Sequence, residues 1–189
     1  MASWRAMSPA PAGLTVWLTG LPGAGKTTSA SSLIEALRGE GRATALLDGD
    51  LLRAGISSDL GFSAADRDEN VRRAGELALL LATQVDVVVV SLVSPRRVAR
   101  DAVRARHAEV GVGYLEVHVA APLEVCEARD PKSLYRRARL GEVAHMTGVD
   151  DPYEPPLAPD AVLATDVCDA KETGEQLVKV VREVLGSGR

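Results

Sequence analysis

The chain has 189 residues, 22 Lys+Arg against 26 Asp+Glu and a formal charge of −4, the size of one domain with a buried core. A content of 46% hydrophobic and 25% charged residues excludes wholesale disorder, and the acidic balance argues against nucleic acid or an anionic membrane as partner. Aromatics are scarce (one Phe, two Trp, three Tyr), so the core must be Leu, Val and Ala, and an aromatic beside a functional motif stands out as a ligand-stacking candidate.

Residues 1–13 are rich in Ala, Ser and Pro without an apolar h-region; they read as a disordered tail, not a signal peptide, before a domain at 14–189. The apolar run 14–19 reads as a buried strand ending at a Gly-rich turn. A helix follows over 26–38, with Leu33 and Leu37 on one face and glycines at its end. A second strand, 43–47, closes on Asp48-Gly49-Asp50, and a loop spans 55–65. Helix 66–84 carries the stripe Arg67, Val71, Ala74, Ala78 and Leu81. Strand 86–93 is β-branched without alternation, as in a strand buried on both faces; Asp86 and Ser91 make it no membrane span. A basic helix at 95–109, strand 114–120, short helix 122–129, strand 161–164 and closing amphipathic helix 171–185 complete the order. Alternation of strand and helix implies an α/β fold, a mainly parallel five-stranded sheet with helices on both faces.

The segment 130–159 resists that pattern. It begins basic (Lys132, Arg136, Arg137, Arg139) and turns Pro-rich, as expected of a mobile lid. Cys126 and Cys168 lack CxxC or metal spacing and read as reduced thiols of a cytoplasmic protein, and the three histidines match no metal or triad spacing.

Gly20-Leu-Pro-Gly-Ala-Gly-Lys26-Thr27 matches GxxxxGK[ST] between a predicted strand and a predicted helix, the context such a phosphate loop requires. Backbone N–H groups from Gly20, Gly23, Ala24, Gly25, Lys26, Thr27 and Thr28 can ring phosphate oxygens, with the helix N-terminus adding positive charge. Lys26 would reach the β- and γ-phosphates of ATP, and the Thr27 hydroxyl would hold Mg²⁺. The single asparagine, Asn70, precedes Val71, so the Asn-Lys-x-Asp guanine signature of GTPases is absent and a kinase is favoured.

The acceptor region supports that choice. Asp48 and Asp50 end the second strand, where ligands collect in open α/β sheets. Arg53 follows, and Arg67 starts the inward stripe of its helix with Asn70 beside it, a cation that wants an anion. The competing readings are an N-capped turn for the acids and a snorkelling side chain for Arg67. Arg72 and Arg73 read as solvated or structural.

These residues resemble the adenylylsulfate kinase family of P-loop kinases. The resemblance runs through GLPGAGKTT (20–28), LDGDLLRAGISSDLGFSAADRDENVRRAGELA (47–78), SLVSPRRVARDAVR (91–104), PLEVCEARDPKSLYRRARLGE (122–142) and TGVDDPYEPP (147–156). It implies transfer of the ATP γ-phosphoryl group to the ribose 3′-hydroxyl of adenosine 5′-phosphosulfate, giving PAPS. By motif, Asp50 corresponds to the catalytic carboxylate, near the hydroxyl and the metal, with Lys26 stabilising the transferred group. Arg53, Arg67 and Asn70 correspond to the residues holding phosphosulfate and ribose, and Phe62 to an aromatic stacked on the acceptor adenine. Val93 and Ser94 lie where the backbone meets that ring, and Lys132 corresponds to a lid lysine. The resemblance also implies a homodimer.

Four positions depart from the family pattern. Met146 replaces a second stacking Phe and is expected to cover the purine with its sulfur. Arg96 stands for Tyr or Phe, Ser133 for Gly and Ser91 for Ala. Ser94 is expected to cap a helix starting at Pro95. A kinase acting on a related small-molecule acceptor is the runner-up reading. A nucleotide-binding regulator without turnover is disfavoured by Lys26, Thr27 and Asp50.

Overall fold

The structure, a computed structural model, describes residues 13–187. Five strands, β1 (Leu14–Thr19), β2 (Thr44–Asp48), β3 (Val87–Ser91), β4 (Gly113–Ala120) and β5 (Ala161–Ala164), form one parallel sheet ordered β2-β3-β1-β4-β5. β1 is central: the chain leaves it to one side for β2 and β3, then crosses to the other for β4. The carboxyl end of β1 is therefore a topological switch point, where open α/β sheets bind ligands.

Helices α1 (Lys26–Gly39) and α7 (Ala170–Ser187) cover one face, packing Leu33, Leu37, Leu177 and Val181 against Val16, Leu18, Val89 and Val117. Helices α3 (Ala64–Ala82) and α4 (Arg97–Val110) cover the other, with Ala74, Ala78 and Val103 against Trp17, Val88 and Val90. Successive valines of β3 thus feed opposite cores, which is why that strand shows no alternation.

Three short elements frame the carboxyl edge: α2 (Gly49–Ala54), α5 (Leu123–Arg129) and α6 (Leu134–Arg139). The expected turn at Asp48-Gly49-Asp50 is the start of α2, and Asp48 Oδ1 caps it by accepting from the Asp50 amide at 2.9 Å. The long helix starts at Ala64 rather than Asp66, because Ser63 Oγ accepts from the Asp66 amide at 3.2 Å. β3 ends at Ser91 and α4 begins at Arg97, so Ser94 does not cap it; the Glu154 carboxylate does, accepting from the Arg97 amide at 2.8 Å. The expected tail, 1–13, lies outside the described residues except for Gly13, whose N–H donates to Ala82 O at 2.9 Å.

Candidate active site

The loop between β1 and α1 is built on glycine conformations. Gly25, the residue before α1, has φ 101°, and Gly20 has φ 152° with the Val119 carbonyl only 2.4 Å from where a Cβ would sit. Any side chain at Gly20 would drive this turn off the sheet. Lys26 is buried beneath the loop, its Nζ donating to the carbonyls of Gly20 (2.9 Å) and Leu21 (2.8 Å). Burial lowers its pKa to about 8, against the opposing pull of Cys126, Asp48 and Asp50. A charge left short of solvation in this way gains most from an arriving phosphate.

At the next residue, Thr27 Oγ1 lies 3.2 Å from Asp48 Oδ2 and 3.4 Å from Ser91 Oγ. These three residues bring hard oxygen donors of a carboxylate and hydroxyls to the end of the phosphate loop, a set suited to Mg²⁺. The acid beside Thr27 is therefore Asp48. Asp50, one residue into α2, points across the cavity mouth to an ion pair with Lys132 Nζ.

Loop, acids and lid enclose a cavity of about 1140 Å³. That exceeds the ~300–1,000 Å³ of sites for one small ligand. Beyond the expected Gly23 and Thr27, its wall includes Arg129, Thr165, Cys168 and Thr173, which sequence reasoning missed as site residues. Arg129 from α5 crosses to Thr165 O at 2.5 Å and Thr165 Oγ1 donates to Ala24 O at 2.7 Å, so β5 is stitched to the phosphate loop. No spacing rule could flag residues that meet only once β4 and β5 pair.

The opposite half is cationic. Arg53 and Arg67 both lie by the Phe62 ring, guanidinium carbons 4.4 and 5.5 Å from its centroid. Their hydrogen bonds go to backbone carbonyls: Arg53 to Gly61 (2.7 Å) and Arg67 to Phe62 (3.0 Å) and His145. Burial lowers the pKa of both, and the neighbouring Arg53 charge depresses Arg67 further. Asn70 is buried, and its Oδ1 has no hydrogen-bond partner among the described residues. Phe62 itself is 53% exposed. Two neighbouring cations, an unpartnered amide oxygen and an open aromatic face could take an anionic, hydroxyl-bearing compound with a flat ring.

Of the other expected residues, Val93 and Ser94 line the cavity, while the Ser94 hydroxyl is buried, accepting from Trp17 Nε1 at 3.1 Å. Met146 also lines it but is 5% exposed and belongs to the α1/α7 core. Arg96 pairs with Asp68, and Arg73 holds Asp59 and the Ile56 carbonyl, a structural role. Cys126 and Cys168 are free thiols, the first buried and with its pKa raised by that burial. His107 accepts from Thr15 Oγ1 and is an interior residue.

Residues 12–164 match the family model described as adenylylsulphate kinase. An adenylyl-sulfate kinase of Paraburkholderia xenovorans (strain LB400) is 49% identical over 88% of this chain and 91% of its own length. One of Synechococcus sp. (strain JA-3-3Ab) is 48% identical over 93% and 95%. The Mycobacterium tuberculosis APS kinase CysC, solved in complex with AMPPNP and APS, superposes with a TM-score of 0.87 at 43% identity, covering 91% of this chain and 99% of that one. The chain belongs to the adenylylsulphate kinase family.

Proposed function

We propose that the protein transfers the γ-phosphoryl group of Mg-ATP to the ribose 3′-hydroxyl of adenosine 5′-phosphosulfate. The observation that carries this reading is one cavity joining a phosphate loop to a pocket of Arg53, Arg67, Asn70 and an exposed Phe62. The loop amides and Lys26 hold the β- and γ-phosphates, and Arg129 with Thr165 borders the donor base. Phe62 stacks on the acceptor purine, the two arginines hold the phosphosulfate, and Asn70 Oδ1 accepts from a ribose hydroxyl.

Phosphoryl transfer passes through a loose transition state, so positioning and charge neutralisation supply most of the catalysis. Asp50 orients the 3′-hydroxyl and receives its proton as the O–P bond forms. Lys132 leaves Asp50 for the oxygens of the transferring group. Thr27 with Asp48 and Asp50 would hold Mg²⁺, which supplies charge neutralisation on the β- and γ-oxygens when bound. Closure of the 130–142 stretch over the cavity would exclude the water that otherwise hydrolyses ATP. No helix among the described residues is long and apolar enough to cross a membrane; a cytoplasmic homodimer is the setting we infer from the family.

A coupled assay of ADP release tests the reading. Release that depends on adenosine 5′-phosphosulfate supports it. Release unchanged by that compound but raised by another hydroxyl acceptor moves the function to a different small-molecule kinase.

A further inference from the structure

Val93 and Ser94 form part of the acceptor wall, yet they lie beyond the end of β3 and no strand partner fixes them. Ser94 adopts φ 40°, a left-handed conformation that a non-glycine residue holds only when its surroundings impose it. Two side chains from elsewhere brace this segment, one buried (Arg100) and one half-buried (Tyr153). Arg100, 1% exposed on α4, donates Nη1 to Ser94 O and Nη2 to Glu154 O, each at 2.7 Å. Its Nε donates to Glu116 Oε1 at 2.7 Å, so β4 supplies the counter-charge. Tyr153 approaches from the Pro-rich strap. Thr19 Oγ1 donates to Val93 O at 2.8 Å and accepts from Tyr153 Oη at 3.0 Å. The phenol stays protonated because burial raises its pKa to about 12. The strap is closed by Glu154 N–H on Pro95 O at 2.9 Å.

We propose that Arg100 and Tyr153 are positioning residues for acceptor recognition: they clamp the Val93–Ser94 backbone against the 151–154 strap and so set the wall that meets the acceptor purine. The peptide unit is planar and trans, so holding Val93 O fixes the opposite direction of the Ser94 N–H. A planar guanidinium spreads its donors over three nitrogens and so reaches two carbonyls and a carboxylate in one plane, whereas the three N–H groups of an ammonium diverge from a single atom. The clamp acts on one half of the cavity. Its hydrogen bonds go neither to the phosphate loop amides nor to Lys26, so donor binding should be spared.

The inference rests on the proposed acceptor, and the test separates the two. Initial rates are measured for the full chain and for Arg100→Lys and Tyr153→Phe with each substrate varied, and thermal melting follows folding. Wild-type turnover that ignores adenosine 5′-phosphosulfate would overturn the acceptor assignment and the clamp together. Given wild-type turnover, the clamp requires the acceptor KM to rise about tenfold in Arg100→Lys and about threefold in Tyr153→Phe, the size of one hydrogen bond lost. The ATP KM should stay within about twofold in both. Equal rises in both KM values, or an unchanged acceptor KM in a folded variant, would overturn the proposal. Tyr153→Phe removes a single hydroxyl and decides the matter if Arg100→Lys fails to fold.

Discussion

Lys132 Nζ pairs with Asp50 Oδ2 across the cavity mouth, joining the basic start of the lid to the first turn of α2. Their side chains are 57% and 72% exposed, so the pair contributes little to stability, roughly 0–1 kcal/mol. Its consequence lies in the reaction. The acid that would meet the acceptor hydroxyl and the cation that would meet the moving phosphoryl group already neutralise each other. Asp50→Ala should therefore lower acceptor-dependent ADP release by about 10²–10⁴-fold while leaving the melting temperature unchanged. Activity within about threefold of wild type would remove Asp50 from the reaction.

The neighbouring acid has a different task. Asp48 Oδ2 faces Thr27 Oγ1 and its Oδ1 caps α2. Chelating Mg²⁺ with EDTA should abolish turnover, and added Mg²⁺ should restore it. Asp48→Asn keeps a capping oxygen but loses charge, so half-maximal rate should need about 10–100-fold more Mg²⁺. Ser91→Ala removes a hydroxyl 3.4 Å from Thr27, where the family commonly has no hydroxyl, and should change that requirement by less than about twofold. An Asp48→Asn titration that overlays wild type would show that the metal sits elsewhere.

The phosphate loop and the two-sided sheet were legible because each leaves a local signature. Glycines at 20, 23 and 25 answer positive φ angles, and Val87 to Val90 feed both cores in turn. Helices α2 and α6 left none: six residues complete fewer than two turns, too few to show a 3.6-residue period. The donor-side wall of Arg129 and Thr165 depends on strand pairing between β4 and β5. Glu154, a carboxylate among prolines, gave no sign that it caps α4 from 57 residues away. Ser94 misled because Ser-Pro is a good local cap, whereas the long-range bond from Trp17 claims its hydroxyl.

Phe62 and Met146, the two positions expected to cover the acceptor purine, differ in their surroundings. Phe62 is solvent-facing and lodged between cations, whereas Met146 is packed beside Tyr135 and Ala138 in the core. Phe62→Ala should raise the acceptor KM by roughly 5–150-fold, the ~1–3 kcal/mol of one base–aromatic stack, with the ATP KM unchanged. Met146→Phe enlarges a filled core position and should destabilise by about 1–3 kcal/mol, a fall of several degrees in melting temperature. A melting temperature equal to wild type, with a lower acceptor KM, would show instead that residue 146 turns into the cavity.

Lys26 carries a pH signature. Its pKa in the folded chain is about 8, below the ordinary value of 10.5, because burial penalises the cation. Between those two values the unfolded chain binds more protons than the folded one. The residue's contribution to stability therefore rises with pH across that window, and its full cost is present below it. Phosphate arriving above Nζ compensates the lost solvation and returns the group to its charged form. At pH 8 about half the molecules should be neutral at this site, so ATP binding should draw in about half a proton. Titration calorimetry in buffers of different ionisation enthalpy reads that uptake directly. It should vanish in Lys26→Arg, whose guanidinium is charged throughout, and fade in the wild type by about pH 6. Binding heats at pH 8 that do not depend on the buffer would mean that Lys26 is fully charged before the nucleotide arrives.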